Sequence, residues 1–148
     1  MSEDEVKTSK RRIIIDTDCG VDDAMAITCG ISLYNILGIT CVAGNTSVDN
    51  AYQNVQLLLD ILQLSDKIPI YKGSEHFISS KFNIENIWPG HGLDGIGEQF
   101  SLLRPLVNKN IHIKSQKNKN SAIHYLIDMS NEFPNQLDLV CLGPLTNV

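Results

Sequence analysis

Four aspartates fall within eight residues of the segment IIIDTDCGVDDA, positions 13–24: Asp16, Asp18, Asp22 and Asp23. They directly follow three isoleucines, a run that is typical of a buried strand. Carboxylates this close repel one another, and each unpaired charge near an apolar core is costly. No lysine or arginine lies between positions 13 and 43 to balance them. The cluster therefore favours a bound hard cation, because carboxylate and carbonyl oxygens suit Ca²⁺ or Mg²⁺.

The spacing of these aspartates predicts a strand, a tight turn and then a helix. In an extended strand Asp16 and Asp18 point to one side and the residue between them to the other. Gly20 permits the turn, so Asp22 and Asp23 fall in the first helical turn, where free N–H groups and the helix dipole favour negative charge. A lone aspartate at a helix start is more often a cap, but four together indicate a site.

The rest of the chain alternates between strand and helix patterns. The strands are predicted at 11–16, 36–43, 68–73 and 137–142, and the helices at 21–33, 47–64 and 121–133, with mainly irregular structure over 74–120. The first helix is apolar on most sides, which predicts that it is buried well into a domain. The alternation predicts an α/β fold with an open, mostly parallel sheet, flanking helices and a Rossmann-like core.

Three further residues are candidates for the same edge of the sheet, the usual ligand crevice of such folds. Asn45 follows the second strand, and its amide suits sugar hydroxyls, although a turn asparagine is the common alternative. The carbonyl of Leu142 follows the last strand in LGPLTN, which also fits an ordinary turn with Thr146 or Asn147 near a helix cap. His91 lies in the glycine-rich WPGHGLDGIG, either as part of a lid or simply solvated.

Composition excludes several classes of protein. The 148 residues carry a net charge of −5 with no basic patch, which argues against a nucleic-acid partner. No apolar run approaches the roughly 20 residues of a membrane span. Positions 1–11 form a polar stretch without a secretory signal pattern, so we expect a disordered tail. The four cysteines show no CxxC or zinc spacing, which predicts reduced thiols in a cytoplasmic protein.

Several of these motifs resemble those of one family, the inosine/uridine-preferring nucleoside hydrolases, or nucleoside N-ribohydrolases. DTDCGVDDA is similar to the family's N-terminal fingerprint, and VAGN, GHGLDGIG and LVCLGPLTN follow in the family's order. Many members have proline at the position of Cys19. The resemblance runs from Arg12 to Val148 and implies an open α/β fold. It also implies Ca²⁺-dependent hydrolysis of the N-glycosidic bond of ribonucleosides to free base and ribose.

The resemblance assigns the metal site residue by residue. Asp18 would be the general base that takes a proton from the activated water, and also a metal ligand. Asp23 would be the main chelating carboxylate. Asp16 would support the metal site from close by, and the backbone carbonyl of Leu142 would be a further calcium ligand.

The resemblance also assigns the substrate contacts. Asp22 would hold a ribose hydroxyl, Asn45 would touch the sugar, and His91 would lie on a flexible loop near the base. Calcium would orient the sugar hydroxyls and the water while the ring becomes oxocarbenium-like.

We expect residues 12–148 to be the N-terminal portion of such a domain, incomplete at the C-terminus. In the family, the other half supplies another metal-binding aspartate and more ribose-binding residues. Apolar strand surface without a cover would favour self-association into a homo-oligomer.

Two alternatives remain from the sequence. The chain can be a catalytically inactive truncated isoform or fragment that serves at most as a metal-binding or interaction protein. IIIDTD also resembles the start of a haloacid-dehalogenase-type Mg²⁺ phosphatase with Asp16 as the nucleophile. Gly20 and the surplus pair Asp22–Asp23 do not fit that motif.

Overall fold

The structure, a computed structural model, describes residues 10–79, 89–107 and 121–148. Most of the expected N-terminal tail lies outside these residues. Within them, Lys10 donates to the carbonyl of Ser32, and Arg11 forms an ion pair with Asp138. The expected domain boundary at position 12 stays a prediction, although the first strand begins there.

Strands and helices alternate much as the sequence patterns predict. The strands are β1 (Arg12–Thr17), β2 (Asn35–Cys41), β3 (Ile70–Lys72) and β4 (Leu137–Cys141). The helices are α1 (Val21–Leu33), α2 (Val48–Ile61), α3 (Phe100–Leu103) and α4 (Ala122–Glu132). Short 3₁₀ turns occupy Pro89–His91, Arg104–Leu106 and Leu145–Asn147. α3 falls in the stretch 74–120, for which the sequence predicts mainly irregular structure.

The four strands form one parallel sheet in the order β3-β2-β1-β4. The register pairs Thr17 with Cys41 and Asp16 with Cys141, so the carboxyl ends of the central strands lie side by side. The loops that follow these strands therefore meet at one edge, as the α/β prediction requires. The predicted fold class is confirmed.

Alternate residues of β1 face opposite layers. Ile13 and Ile15 pack in one apolar cluster with Ile27 of α1 and Val55 of α2. Ile14 is also fully buried and borders an apolar groove beside α4. One face of the sheet thus carries the main core, whereas the other borders the groove beside α4.

The expectation that α1 is buried on most sides is wrong for the described residues. Only Asp23, Ile27 and Gly30 of this helix are buried, whereas Met25 is 68% exposed and Leu33 is 63% exposed. The helix packs on the sheet with one face, and no described residue covers the opposite face. None of the helices described is both long and apolar enough to cross a membrane.

A glycine in β2 allows α4 to approach the sheet. The hydroxyl of Tyr125 donates to the carbonyl of Leu37 at 2.9 Å, and its ring stacks on Tyr71 with centroids 3.8 Å apart. A Cβ at Gly38 would lie 2.7–2.9 Å from the Tyr125 ring and hydroxyl. The contact between α4 and the sheet thus depends on the missing side chain.

We predict that Gly38→Ala destabilises the chain by about 1–3 kcal/mol, because the buried tyrosine ring must move. Gly30→Ala is the matched control, since its Cβ would meet Ile15 and Ile36 at an ordinary 3.6–3.7 Å. Alanine inside α1 should instead stabilise by up to about 1 kcal/mol. Urea denaturation measures both, and equal effects of the two substitutions would contradict this packing.

Candidate active site at the carboxyl edge of the sheet

The turn between β1 and α1 is shaped around Asp23. Its Oδ1 accepts a hydrogen bond from the Thr17 hydroxyl at 2.7 Å, and its Oδ2 accepts one from the Gly20 N–H at 3.0 Å. Asp23 therefore reaches back from the first turn of α1 to the end of β1, as a capping-box acid does. The predicted strand, turn and helix are confirmed, and Thr17 is a partner that the sequence analysis did not identify.

Cys19 has a backbone that proline cannot adopt. Its φ is 46°, in the left-handed region, and its N–H donates to the Thr17 hydroxyl oxygen at 2.9 Å. Proline has a φ near −65° and no N–H. The backbone N–H of Cys19 therefore holds the Thr17 hydroxyl, which in turn donates to Asp23.

Three of the candidate side chains converge at Gly20. A Cβ at this residue would lie 2.9 Å from Asn45 Nδ2, 2.9 Å from Asp22 Oδ1 and 3.0 Å from Asp23 Oδ2. Glycine leaves this point open and lets the three polar ends face it. The structure therefore brings together residues of the first and second strand-to-helix loops, as the sequence predicts.

Asp18 is enclosed by backbone from two other loops. Its Oδ2 accepts a hydrogen bond from the Asn45 N–H at 2.7 Å. A Cβ at Gly44 would overlap its carboxylate, and one at Gly143 would lie 2.9 Å from its backbone nitrogen. Its Oδ1 is buried without a hydrogen-bond partner. Asp18 thus keeps one free carboxylate oxygen in a site that only glycines leave room for.

Asp16 lies deeper, at the end of β1. Its Oδ1 accepts from the Thr40 hydroxyl at 2.5 Å and from Asn147 Nδ2 at 2.8 Å. Its Oδ2 is buried and has no hydrogen-bond partner. The N–H of Leu142 donates to its backbone carbonyl at 2.8 Å, which places the loop after β4 beside the aspartates.

Burial controls the charge of these side chains. It raises the pKa of Asp16, Asp18 and Asp23 above the usual aspartate value. Hydrogen bonds to each carboxylate act in the opposite direction, and the charge of Asp23 further raises the pKa of Asp18. The cluster is therefore short of positive charge, as the sequence analysis inferred.

His91 is held against the start of α1. Its Nδ1 accepts a hydrogen bond from the Val21 N–H at 3.3 Å and lies 3.8 Å from Asp22 Oδ1. The imidazole is therefore at the same end of α1 as the aspartate cluster. Its expected place near the base of the substrate stays a prediction.

The loop that carries His91 is anchored on α2. The carbonyl of Leu93 accepts from the side chains of Thr46 and Asn50, and the carbonyl of Asp94 accepts from Asn54 Nδ2 at 2.7 Å. The Asp94 carboxylate in turn accepts from three backbone N–H groups, including that of Phe100 at the start of α3. These are the contacts of an anchored segment and differ from the flexible loop expected from the resemblance.

The oxygens at this edge fit part of a hard-cation site. Asp16 Oδ2 and Asp18 Oδ1 are both buried and unpartnered, and a hard cation is a partner that suits such oxygens. The hydrogen bonds to Asp23 still leave lone pairs on its carboxylate. Across residues 10–79, 89–107 and 121–148, no three His, Cys, Asp or Glu side chains form a ready-made metal group. Main-chain carbonyls such as that of Leu142 would have to complete the donor set.

The uncharged partners of the aspartates do not follow from the sequence patterns. Asn147 is predicted only as a residue near a helix cap, but its side chain donates to Asp16. Thr40 is the one polar side chain between Ile36 and Ala43, and that contrast was the available signal. Thr17 carried no comparable signal, because threonine is common in strands.

The fold and site together define a class of protein. A parallel sheet with acidic side chains in the loops at its carboxyl edge is an α/β ligand-binding fold. The family model of the inosine-uridine preferring nucleoside hydrolases matches residues 13–148. The chain belongs to that family.

Individual relatives agree with this assignment. Uridine nucleosidase 1 of Arabidopsis thaliana is 34% identical over 100% of this chain and 41% of its own length. The solved structure of a plant nucleoside hydrolase, the PpNRh1 enzyme, matches with a TM-score of 0.72. An inosine-guanosine nucleoside hydrolase matches with a TM-score of 0.71. Both structures are 32% identical to the chain and cover 93% of it and 41% of their own chains. The chain thus spans about 41% of the length of these relatives.

We predict that the buried charge of Asp18 makes the metal-free chain less stable as pH rises. Its pKa is raised in the folded chain, so the folded state holds a proton that the unfolded chain releases near pH ~3.9. The stability gained from this bound proton is fully present below that pH. It is lost as pH rises through the raised pKa that Asp18 has in the folded chain. Asp18→Asn should flatten this decline and stabilise the chain by roughly 1 kcal/mol at neutral pH.

The matched control is Asp22→Asn, because its side chain is 81% exposed. It should change the free energy of unfolding by no more than about 0.5 kcal/mol. Urea denaturation with a chelator present, repeated from mildly acidic to neutral pH, measures both variants. Parallel pH profiles for wild type and Asp18→Asn would rule out this role for the Asp18 charge.

Proposed function

We propose that this chain acts in the Ca²⁺-dependent hydrolysis of the N-glycosidic bond of ribonucleosides, giving free base and ribose. Family membership supports the reaction class. The observation that carries the proposal is the convergence of Asn45, Asp22 and Asp23 on the open point at Gly20. A sugar with several hydroxyls needs such a set of acceptors and donors on one side.

The proposed cation site uses Asp16, Asp18, Asp23 and the Leu142 carbonyl. The two unpartnered buried oxygens, of Asp16 and Asp18, support it, since each needs a positive or donating partner. When bound, the cation would lower the pKa of a water and orient the sugar hydroxyls.

Asp18 is the proposed general base. The Asn45 N–H holds Oδ2 in place, and Oδ1 has two lone pairs, so it would use one for the cation and the other to accept a proton. Burial raises the pKa of Asp18, which makes its carboxylate a stronger proton acceptor than that of an exposed aspartate. As Oδ1 takes the proton, the water oxygen bonds to the anomeric carbon, and the electron pair of the broken C–N bond leaves with the base.

Asp22 and Asn45 are the proposed sugar contacts. The Asp22 carboxylate is largely exposed and accepts from hydroxyls, whereas the Asn45 amide donates to them. His91 lies beside Asp22 and would face the base. One relative is named for uridine and another for inosine and guanosine, so we propose ribonucleosides as the substrate class without a base preference.

The second candidate function is metal binding or protein interaction without catalysis. In the part of the chain described, no three His, Cys, Asp or Glu side chains are grouped to hold a metal ion, which favours the interaction role within this alternative. The chain also spans only 41% of its relatives' length. The phosphatase alternative gains no support, because the matching family model and the relatives reported above are all nucleoside hydrolases or nucleosidases by name.

We predict that the purified chain releases ribose from inosine or uridine only when Ca²⁺ is present. Asp18→Asn should lower the rate by about 10²–10⁴-fold, the usual contribution of a general base. Asp138→Asn is the matched control, because Asp138 pairs with Arg11 in β4, away from the aspartate cluster. A reducing-sugar assay measures all three proteins. Ca²⁺ binding without ribose release would favour the non-catalytic function.

We further propose a cytoplasmic location, supported by four cysteines that are all free, two of them buried. Self-association is proposed through the face that exposes Ile127 and Leu139. Size-exclusion chromatography at several concentrations tests it, and a concentration-independent monomer would contradict it.

A further inference from the structure

The Asn147 side chain joins the ends of the sheet strands. It lies after β4 and is only 5% exposed. Its Nδ2 donates to Asp16 Oδ1 at 2.8 Å and to the Cys41 carbonyl at 3.0 Å. Its Oδ1 accepts from the Ser74 N–H at 2.8 Å. One amide thus links the ends of β1 and β2 and the loop after β3 to the turn after β4.

The space around this amide fits it closely. A Cβ at Gly73 would overlap both the oxygen and the nitrogen of the Asn147 side chain. Asn147 uses its nitrogen for two donations and its oxygen for one acceptance, so the side chain is held from three directions. The Cys41 carbonyl also accepts from the Gly73 N–H at 2.9 Å, which fixes the loop after β3 beside the amide.

The same amide decides which oxygen of Asp16 is available. Asn147 and Thr40 both donate to Oδ1, one from each side of β1 in the sheet. Oδ2 is left without a partner although Asp16 is fully buried. Two donors on one oxygen hold the carboxylate in a single orientation.

We propose that Asn147 is a positioning residue that, with Thr40, holds Asp16 so that its Oδ2 supports the bound cation. This inference rests on the calcium site of the proposed function. Removing a group that orients a metal-supporting side chain typically lowers the affinity for the metal by roughly 10–100-fold. A merely structural Asn147 would change the stability of the chain and leave the affinity of the folded chain unchanged.

Calorimetric titration of the 148-residue chain with CaCl₂ tests the proposal. Asn147→Ala should weaken Ca²⁺ binding by roughly 10–100-fold and remove most of the Ca²⁺-induced rise in Tm. Tyr125→Phe is the matched control, because it removes one hydrogen bond between α4 and the sheet, away from the aspartates. It should lower Tm and leave the Kd for Ca²⁺ unchanged.

The second donor gives a test that depends less on folding. Thr40→Val keeps the shape of the side chain but removes the hydroxyl, so it should weaken Ca²⁺ binding. Thr40→Ser keeps the hydroxyl and should restore the affinity. Because both residues act on one oxygen of Asp16, the double variant Thr40→Val with Asn147→Ala should deviate from the sum of the single effects.

The outcomes separate this inference from the proposed function. Wild type that binds Ca²⁺ while Asn147→Ala binds equally well overturns the positioning role and leaves the calcium site standing. Wild type that binds no Ca²⁺ overturns both. Loss of affinity in Tyr125→Phe as large as in Asn147→Ala would assign the effect to stability and also overturn the positioning role.

Discussion

The structure depends on holding three aspartate carboxylates out of water at one edge of a parallel sheet. Asp16, Asp18 and Asp23 are all buried there, and within the described residues no lysine or arginine pairs with them. Burying unpaired charge is costly, so neighbouring groups must offset that cost. The hydroxyls of Thr17 and Thr40, one asparagine amide and backbone N–H groups do so in part. The oxygens left over are the ones that a cation would satisfy.

The same constraint explains where glycine is required. Gly44 and Gly143 approach Asp18 so closely that a Cβ would clash with its carboxylate or crowd its backbone, and Gly20 leaves open the point where three polar side chains meet. Backbone N–H groups can reach a buried carboxylate only if no side chain stands between them. The loops after β1, β2 and β4 therefore enclose one site because they carry glycine at these positions. Gly20, Gly44 and Gly143 are needed because neighbouring atoms come so close to them, since none of the three has a positive φ that would require glycine.

Much of the fold could be predicted because its signals are local. The amphipathic spacing and the Ser47 cap predict α2, and the Ser47 hydroxyl accepts from the Asn50 N–H as a cap should. α3 was missed because its first N–H groups are satisfied partly by Asp94, six residues before Phe100 in a glycine-rich stretch that looks like loop alone. The burial of α1 was wrongly predicted, since apolar composition states which residues can be buried and not which elements are present to cover them.

The sequence by itself determined that the aspartates stand at the junction of a buried strand and a helix, because strand and helix periodicity and the position of Gly20 are local properties. It also carried the family's motifs in order. Only the tertiary structure decided which groups bind each carboxylate. Asn147 meets Asp16 across 131 positions of sequence, and the Asn45 N–H meets Asp18 across 27. Those contacts follow from the strand order β3-β2-β1-β4 and its parallel register, which bring distant loops to one edge. Periodicity cannot specify that order, because each strand pattern is compatible with any neighbour.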